Sequence, residues 1–237
     1  MELSYELLDR FEKLFSGQAY LHRNSANGDS VAVRLCEDIL TLNRSPKFVT
    51  RVNSAMSVQN LANARRGIKS RRGDGTLGEI IPGTEAWADP AFKVPRGEIA
   101  TIEIGTEVKI LHKAMIKQID RVIGDLRKQV DQFKAHGSRP ISVGIVGINH
   151  APYTVGYEGE RSYRTGGSGG PHPIQEATEA EKRLLALAKP AFDEFIVLRY
   201  MATNDAPFIF SWVDKRATEL GYGAALARIS SEYEKRF

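Results

Sequence analysis

The chain has 237 residues, 42% of them apolar and 26% charged, with a net charge of +4, which is ordinary globular usage. No run of about 18 apolar residues occurs and the first residues lack a basic stretch before an apolar core, so neither a membrane span nor a secretory signal is expected. The single cysteine, Cys36, excludes an intramolecular disulfide and a cysteine-rich zinc site and points to a reducing cytoplasm.

Residues 3–15 carry Leu3, Leu7, Leu8, Phe11, Leu14 and Phe15 at helical spacing. The polar stretch 16–29 reads as a loop. A second helix is predicted from about Ser30, with Val33, Cys36, Ile39 and Leu40 inward. A third is predicted from Pro46 to Ala64, with Pro46 in its first turn and Phe48, Val49, Val52, Met56 and Leu61 on its apolar side. Next, Arg65, Arg66, Lys69, Arg71 and Arg72 fall within eight residues with no acid among them. They read either as a solvated basic loop or as a phosphate-contacting segment.

Asp74 follows between Gly73 and Gly75, and residues 75–81 read as a short strand ending at Pro82-Gly83. A connection over 84–97 leads to the long alternating run Ile99–Ile110. Its apolar positions are Ala100, Ile102, Ile104, Val108 and Ile110, interleaved with Glu103, Gly105, Glu107 and Lys109. That is a strand with one buried face. Side chains two apart on a strand are neighbours at about 7 Å. Two carboxylates and an ammonium are therefore expected in one row, with Gly105 leaving room for close approach. If 75–81 and 99–110 pair antiparallel, Asp74 lies beside Glu107 and Lys109. Asp89-Pro90 is a second candidate acid, but it sits at the far end of that hairpin, some 20 Å away.

His112 to Ala135 is predicted as a long helix, with His112 at its start and Gly137 as its stop. Residues 140–148 are almost continuously apolar, as in a strand covered on both faces. Strand, helix and apolar strand form a βαβ unit. Residues 149–175 read as irregular, with a glycine-rich tip at 166–170. Tyr153, Tyr157, Tyr163, Arg161 and Arg164 within this stretch suit either nucleic acid or plain solvation. Then come a helix over 176–188, strands over 194–201 and 208–213, and a last helix capped by Asp214 and broken near Gly221 or Gly223.

An acid heading one strand, Glu-x-Lys near the end of the next, a helix and an apolar strand: this pattern, carried by Asp74, Glu107, Val108 and Lys109, resembles the PD-(D/E)XK nuclease superfamily. Gly73-Asp74 stands where that family has Pro-Asp. The resemblance covers about residues 70–148. It implies an α/β fold of restriction-endonuclease type, a central mixed β-sheet flanked by helices. It implies one nuclease-like domain over 1–237, with a helical N-terminal part (about 1–64), a catalytic core (about 65–148) and a C-terminal α/β extension (about 149–237). Asp74 and Glu107 would bind Mg²⁺ or Mn²⁺, and Lys109 would position or deprotonate the attacking water. Glu103 and Gln118 are possible additions to the site, and Arg65, Arg66, Lys69, Arg71 and Arg72 would contact DNA. A homodimer and a cognate DNA methyltransferase go with a restriction-like function. Two rivals remain: a non-cleaving nucleic-acid-binding protein on the same scaffold, and a non-nuclease α/β enzyme or assembly subunit whose acidic row is only an ion-pair row. The chemistry agrees with the first reading, because carboxylate oxygens suit hard divalent cations and such a cation serves phosphodiester hydrolysis.

Overall fold

The computed structural model describes residues 4–22, 24–60, 73–135, 139–158, 161–165 and 173–237. Four short helices come first: α1 (Glu6–Lys13), α2 (Ala26–Ala32), α3 (Arg34–Leu42) and α4 (Pro46–Asn53). Helix α1 buries Leu7, Leu8 and Phe11 as its spacing predicts. Its first turn has no local side-chain cap. Instead Asp38 of α3 accepts from the amides of Glu6 and Leu7 at 2.8 and 3.0 Å, satisfying two orphan donors from a distance.

Two expectations fail here. Part of the predicted 16–29 loop is helical, because α2 begins at Ala26. Helix α4 stops at Asn53, since Ala55 adopts a positive φ of 54° that ends the helical path. Met56 is then exposed rather than buried, and Ser57–Gln59 forms β1.

Strands β2 (Gly75–Glu79) and β3 (Ile104–Leu111) pair antiparallel, with Gly75 opposite Thr106 and Leu77 opposite Ile104. β1 pairs with β2 on its other side. The predicted strand 99–110 is therefore shorter at its start. Ile80 still bridges Ile99, so three steps along β2 face five steps along 99–104. The two extra residues bulge, and a bulge re-aims the side chains within it. The Thr101 carbonyl folds over Gly78, where a Cβ would lie 1.8 Å from it.

Helix α5 (Met115–Lys134) buries Met115, Ile119, Val122, Ile123, Leu126, Val130 and Phe133 as expected. It starts three residues later than predicted. His112 belongs instead to a buried cluster at the end of β3, and Glu176 accepts from the Ile116 amide at 3.1 Å. β4 (Ile141–Asn149) is buried throughout and runs parallel to β3. Ile141, Val143 and Ile145 join one core while Val146 and Ile148 join the other, the two-sided burial its apolar run predicts.

Within the stretch expected to be irregular, β5 (Thr154–Glu158) and β6 (Arg161–Thr165) form a separate antiparallel ribbon. Its strands were hidden by composition: β6 is polar and almost wholly exposed. Then follow α6 (Pro173–Leu187), β7 (Glu194–Ala202), β8 (Phe210–Trp212) and α7 (Lys215–Arg236). Asp214 caps α7, accepting from the Ala217 amide at 2.9 Å, as expected. The predicted break in α7 does not occur. Gly223 serves packing, since a Cβ there would lie 2.4 Å from the Tyr5 hydroxyl.

The main sheet has the order β1-β2-β3-β4-β7-β8, parallel at its centre and antiparallel at both flanks. The fold is thus α/β, a six-stranded mixed sheet flanked by helices. Helices α1, α3 and α7 cover one face through Phe11, Leu35, Leu226 and Ile229. Helices α5 and α6 cover the other through Ile119, Leu126, Ala180 and Leu184. Each such fully buried large side chain contributes about 1.5–3 kcal/mol relative to exposure. Among the described residues, no helix is long and apolar enough to cross a membrane.

Candidate active site

β2 begins at Gly75, opposite Thr106, while β3 continues to Leu111, so β3 outruns its partner. Helix α2 packs beside this overhang: a Cβ on Gly75 would meet the Ala32 side chain at 2.9 Å, and one on Gly28 would lie 3.0 Å from Asp74 Oδ2. Asp74, one residue beyond the ladder, takes the next rung with its side chain. Its Oδ2 accepts from the Val108 amide at 2.8 Å. Gly28 is small enough to let that carboxylate in.

On β3, Glu107 is 5% exposed, and the Lys109 ammonium donates to its Oε1 at 2.5 Å. Asp74, Val108 and Lys109 line an open cleft of about 270 Å³, shared with His22, Asn27 and Gly28 from the α2 side and with Gln118, Arg121 and Asp125 from α5. Burial pushes the Asp74 carboxyl well above the usual range, and the Glu107 charge adds to it; Lys109 and the Val108 amide pull the other way. Burial works against the Lys109 ammonium. The charge and hydrogen bond of Glu107, with the charges of Asp74 and Asp125, outweigh it, so the Lys109 pKa is raised. The Lys109 ammonium is thus held as a cation beside the two carboxylates.

The structure thus brings Asp74, Glu107, Lys109 and Gln118 to one place. Gln118 donates to the Lys113 carbonyl at 3.3 Å and accepts from Arg121 at 3.3 Å on the cleft wall. Asp89 lies elsewhere, its Oδ1 accepting from the Ala91 amide at 3.0 Å within its own turn.

Glu103 is not in the row with Glu107. The bulge turns it toward α4 and α7, where it is 2% exposed. It accepts from Arg51 at 2.5 Å, from Ser57 Oγ at 2.7 Å and from the Tyr233 hydroxyl. It is a structural carboxylate. Gly105 does not leave room for a ligand either. A Cβ there would lie 2.6 Å from the Phe133 ring, and one on Gly73 would lie 2.7 Å from the same ring. The two glycines seat that ring between β2 and β3. The basic cluster Arg65, Arg66, Lys69, Arg71 and Arg72 lies outside the described residues, as does the glycine-rich tip 166–170.

Arg121 and Asp125 escaped the sequence reading, though their signal was present. Gln118, Arg121, Val122 and Asp125 follow the i, i+3, i+4, i+7 spacing of one helix face. The α2 wall had no such signal, because Asn27-Gly28-Asp29 reads as a turn.

Among the described residues, no group of three or more His, Cys, Asp or Glu side chains is placed to hold a metal ion. The pair Asp74 and Glu107 nevertheless fits Mg²⁺ by the chemistry of its donors. Mg²⁺ takes oxygen ligands, keeps several waters, and is commonly held by one or two carboxylates together with substrate phosphate. No family model, no curated protein and no solved structure matches the chain.

Proposed function

We propose that this chain is a metal-dependent endonuclease acting on DNA, with Mg²⁺ or Mn²⁺ as cofactor. The observation that supports this reading is the convergence of Asp74 on Glu107-Val108-Lys109, with Asp74, Val108 and Lys109 lining an open cleft and Glu107 buried and bonded to Lys109. Asp74 and Glu107 would hold the cation. A bound divalent cation supplies a nucleophile at neutral pH and offsets the charge of a phosphorane-like transition state. The Val108 amide fixes the Asp74 carboxylate in orientation. Lys109 brings three N–H donors and a permanent charge, suited to orienting water and to meeting anionic oxygens. Gln118 and Arg121 on the opposite wall offer donors to phosphate. A restriction-endonuclease-like fold, a homodimer, a partner methyltransferase and a cytoplasmic location belong to the same reading.

A non-cleaving DNA-binding protein on this scaffold is the second reading. The close Lys109–Glu107 pair favours it, because two groups that neutralise each other need no cation. One assay separates them. Supercoiled plasmid and genomic DNA are incubated with Mg²⁺, with Mn²⁺ and with EDTA, using wild type and Lys109→Ala. Metal-dependent nicking that disappears in EDTA and in the variant supports the nuclease. Absence of cleavage with either metal, or cleavage that persists in Lys109→Ala, overturns it.

A further inference from the structure

The ribbon β5–β6 stands apart from the main sheet, yet it abuts the cleft. A two-stranded hairpin is marginal by itself, and three hydrogen bonds from the β5 side anchor this one. Thr154 Oγ1 bonds His112 Nε2 at 2.6 Å, the Val155 amide donates to the Thr203 carbonyl at 2.7 Å, and Asn204 donates to the Val155 carbonyl at 2.7 Å. β6 contributes little to that anchorage. Arg161, Ser162, Tyr163 and Arg164 are all exposed, with Tyr163 at 46%. So β6 spends two arginines and a tyrosine on solvent.

Those side chains continue the wall of the cleft. Arg121 bonds Gln118, and Gln118 bonds the Lys113 carbonyl. The Lys113 ammonium lies against Gly156 of β5, where a Cβ would be 2.3 Å from it, and sits 5.9 Å over the Tyr163 ring. Glu158 at the end of β5 reaches His22 of the cleft wall at 3.7 Å. Arg121, Lys113, Arg161 and Arg164 thus form an arc from the start of α5 onto the ribbon, beside the cleft that holds Lys109, with Asp125 3.9 Å from Arg121 and Glu158 opposite Arg161 as the acids among them.

We propose that this arc is the surface on which a DNA duplex is gripped, with Arg161 and Arg164 contacting phosphates outside the cleft. This rests on the nuclease reading only for the direction in which the DNA runs. The charge suits a phosphate backbone. A two-stranded β-ribbon also has the width that the B-DNA major groove admits. Single strands are bound chiefly on open aromatic faces. Here Arg164 lies over the Tyr153 ring at 3.8 Å, so that face is already occupied. The arrangement therefore selects duplex over unpaired strand.

The test is fluorescence anisotropy of a labelled duplex of about 20 base pairs in EDTA, over about 50–200 mM salt. Wild type is compared with the double variant Arg161→Gln/Arg164→Gln, both sites being exposed and circular dichroism checking the fold. The variant should bind more weakly by about a hundredfold or more at the low-salt end, and its slope of log affinity against log salt should be shallower by about 2, one unit for each lost phosphate contact. The same oligonucleotide single-stranded should bind more weakly than the duplex. Unchanged affinity and slope in the variant, or tighter binding of the single strand, overturns the proposal. Wild type that binds no DNA overturns it together with the nuclease. Ribbon-dependent binding without cleavage in Mg²⁺ upholds it and removes the nuclease alone.

Discussion

Asp74 Oδ2 accepts a 2.8 Å hydrogen bond from the amide of Val108, just before β2 begins. A side chain thereby completes the ladder that the backbone leaves open, and it sets a carboxylate beside Glu107 and Lys109. Asp74→Asn keeps an acceptor for that amide but removes the negative charge a cation needs. It should retain the melting temperature of wild type within a few degrees and lose cleavage by about 100-fold or more. Asp89→Asn should cut at the wild-type rate. Cleavage assays and thermal melts on the two variants check this, and a dead Asp89→Asn beside an active Asp74→Asn would reverse the assignment.

Glu103 predicts the opposite split. Its carboxylate is buried and joined to Arg51, Ser57 and Tyr233. Removing one partner of such a pair leaves the others desolvated and uncompensated, typically at about 3–5 kcal/mol. Glu103→Ala should lower the urea midpoint accordingly, while the surviving folded fraction binds Mn²⁺ with unchanged affinity. Calorimetric titration at a temperature where the variant is folded reads this. A variant of normal stability that fails to bind Mn²⁺ would return Glu103 to the site.

His112 carries an acid lability. It is fully buried, with Tyr200 Oη at 3.1 Å and Thr154 Oγ1 at 2.6 Å on its two ring nitrogens. Burial lowers its pKa to about 3. The unfolded chain binds a proton there below about 6.5 and the native chain does not, so stability is full above 6.5 and falls as pH drops toward 3, by up to about 1.4 kcal/mol per unit. Asp38, raised by burial to about 6, acts with the opposite sign between about 6 and 3.8. The clean measurement is therefore a difference. Between pH 7 and pH 5, wild type should lose about 2 kcal/mol more of its urea-unfolding free energy than His112→Gln does. Parallel curves for the two proteins would mean that the imidazole is protonated in the native state.

The contact between Phe133 and the two glycines is testable by a mutant cycle. Gly105→Ala forces a Cβ to within 2.6 Å of that ring, an overpacking expected to cost about 1–3 kcal/mol. Phe133→Leu should relieve part of it, giving a coupling of about 1 kcal/mol in denaturant unfolding. Additive effects would show that the Phe133 ring does not press on Gly105.

The parts of the molecule legible in sequence are those where one periodicity acts alone. The stripe of α5, the apolar run of β4 and the register that sets Asp74 against Glu107 are all of this kind. The misreadings arise where tertiary contacts decide. Glu103 alternates correctly with Glu107 in sequence, but the two-residue bulge turns it to a different neighbourhood. Gly105 and Gly223 look like openings or breaks, yet the first makes room for the Phe133 ring of α5 and the second for the Tyr5 hydroxyl. Helix α2 holds Asn27, Gly28 and Asp29, all weak helix formers, and it is held by its place beside β3. β6 lacks an apolar face, so alternation had nothing to register.

The polar contacts that tie the first helices down come from the other end of the chain. Asp38 meets Tyr222 across 184 residues, Tyr20 meets Asn204 across 184, and Ser45 meets Glu234 across 189. Glu103 waits 130 residues for the Tyr233 hydroxyl. These groups also have nearer partners, Asp38 in the Glu6 and Leu7 amides and Glu103 in Arg51 and Ser57, so the distant contacts complete networks begun locally. The loop closures involved are long, and folding slows as contacts become less local. The closing of the first helices onto α7 is thus the least local event in the fold, and a truncation that removes α7 would uncover the apolar sides of α1 and α3.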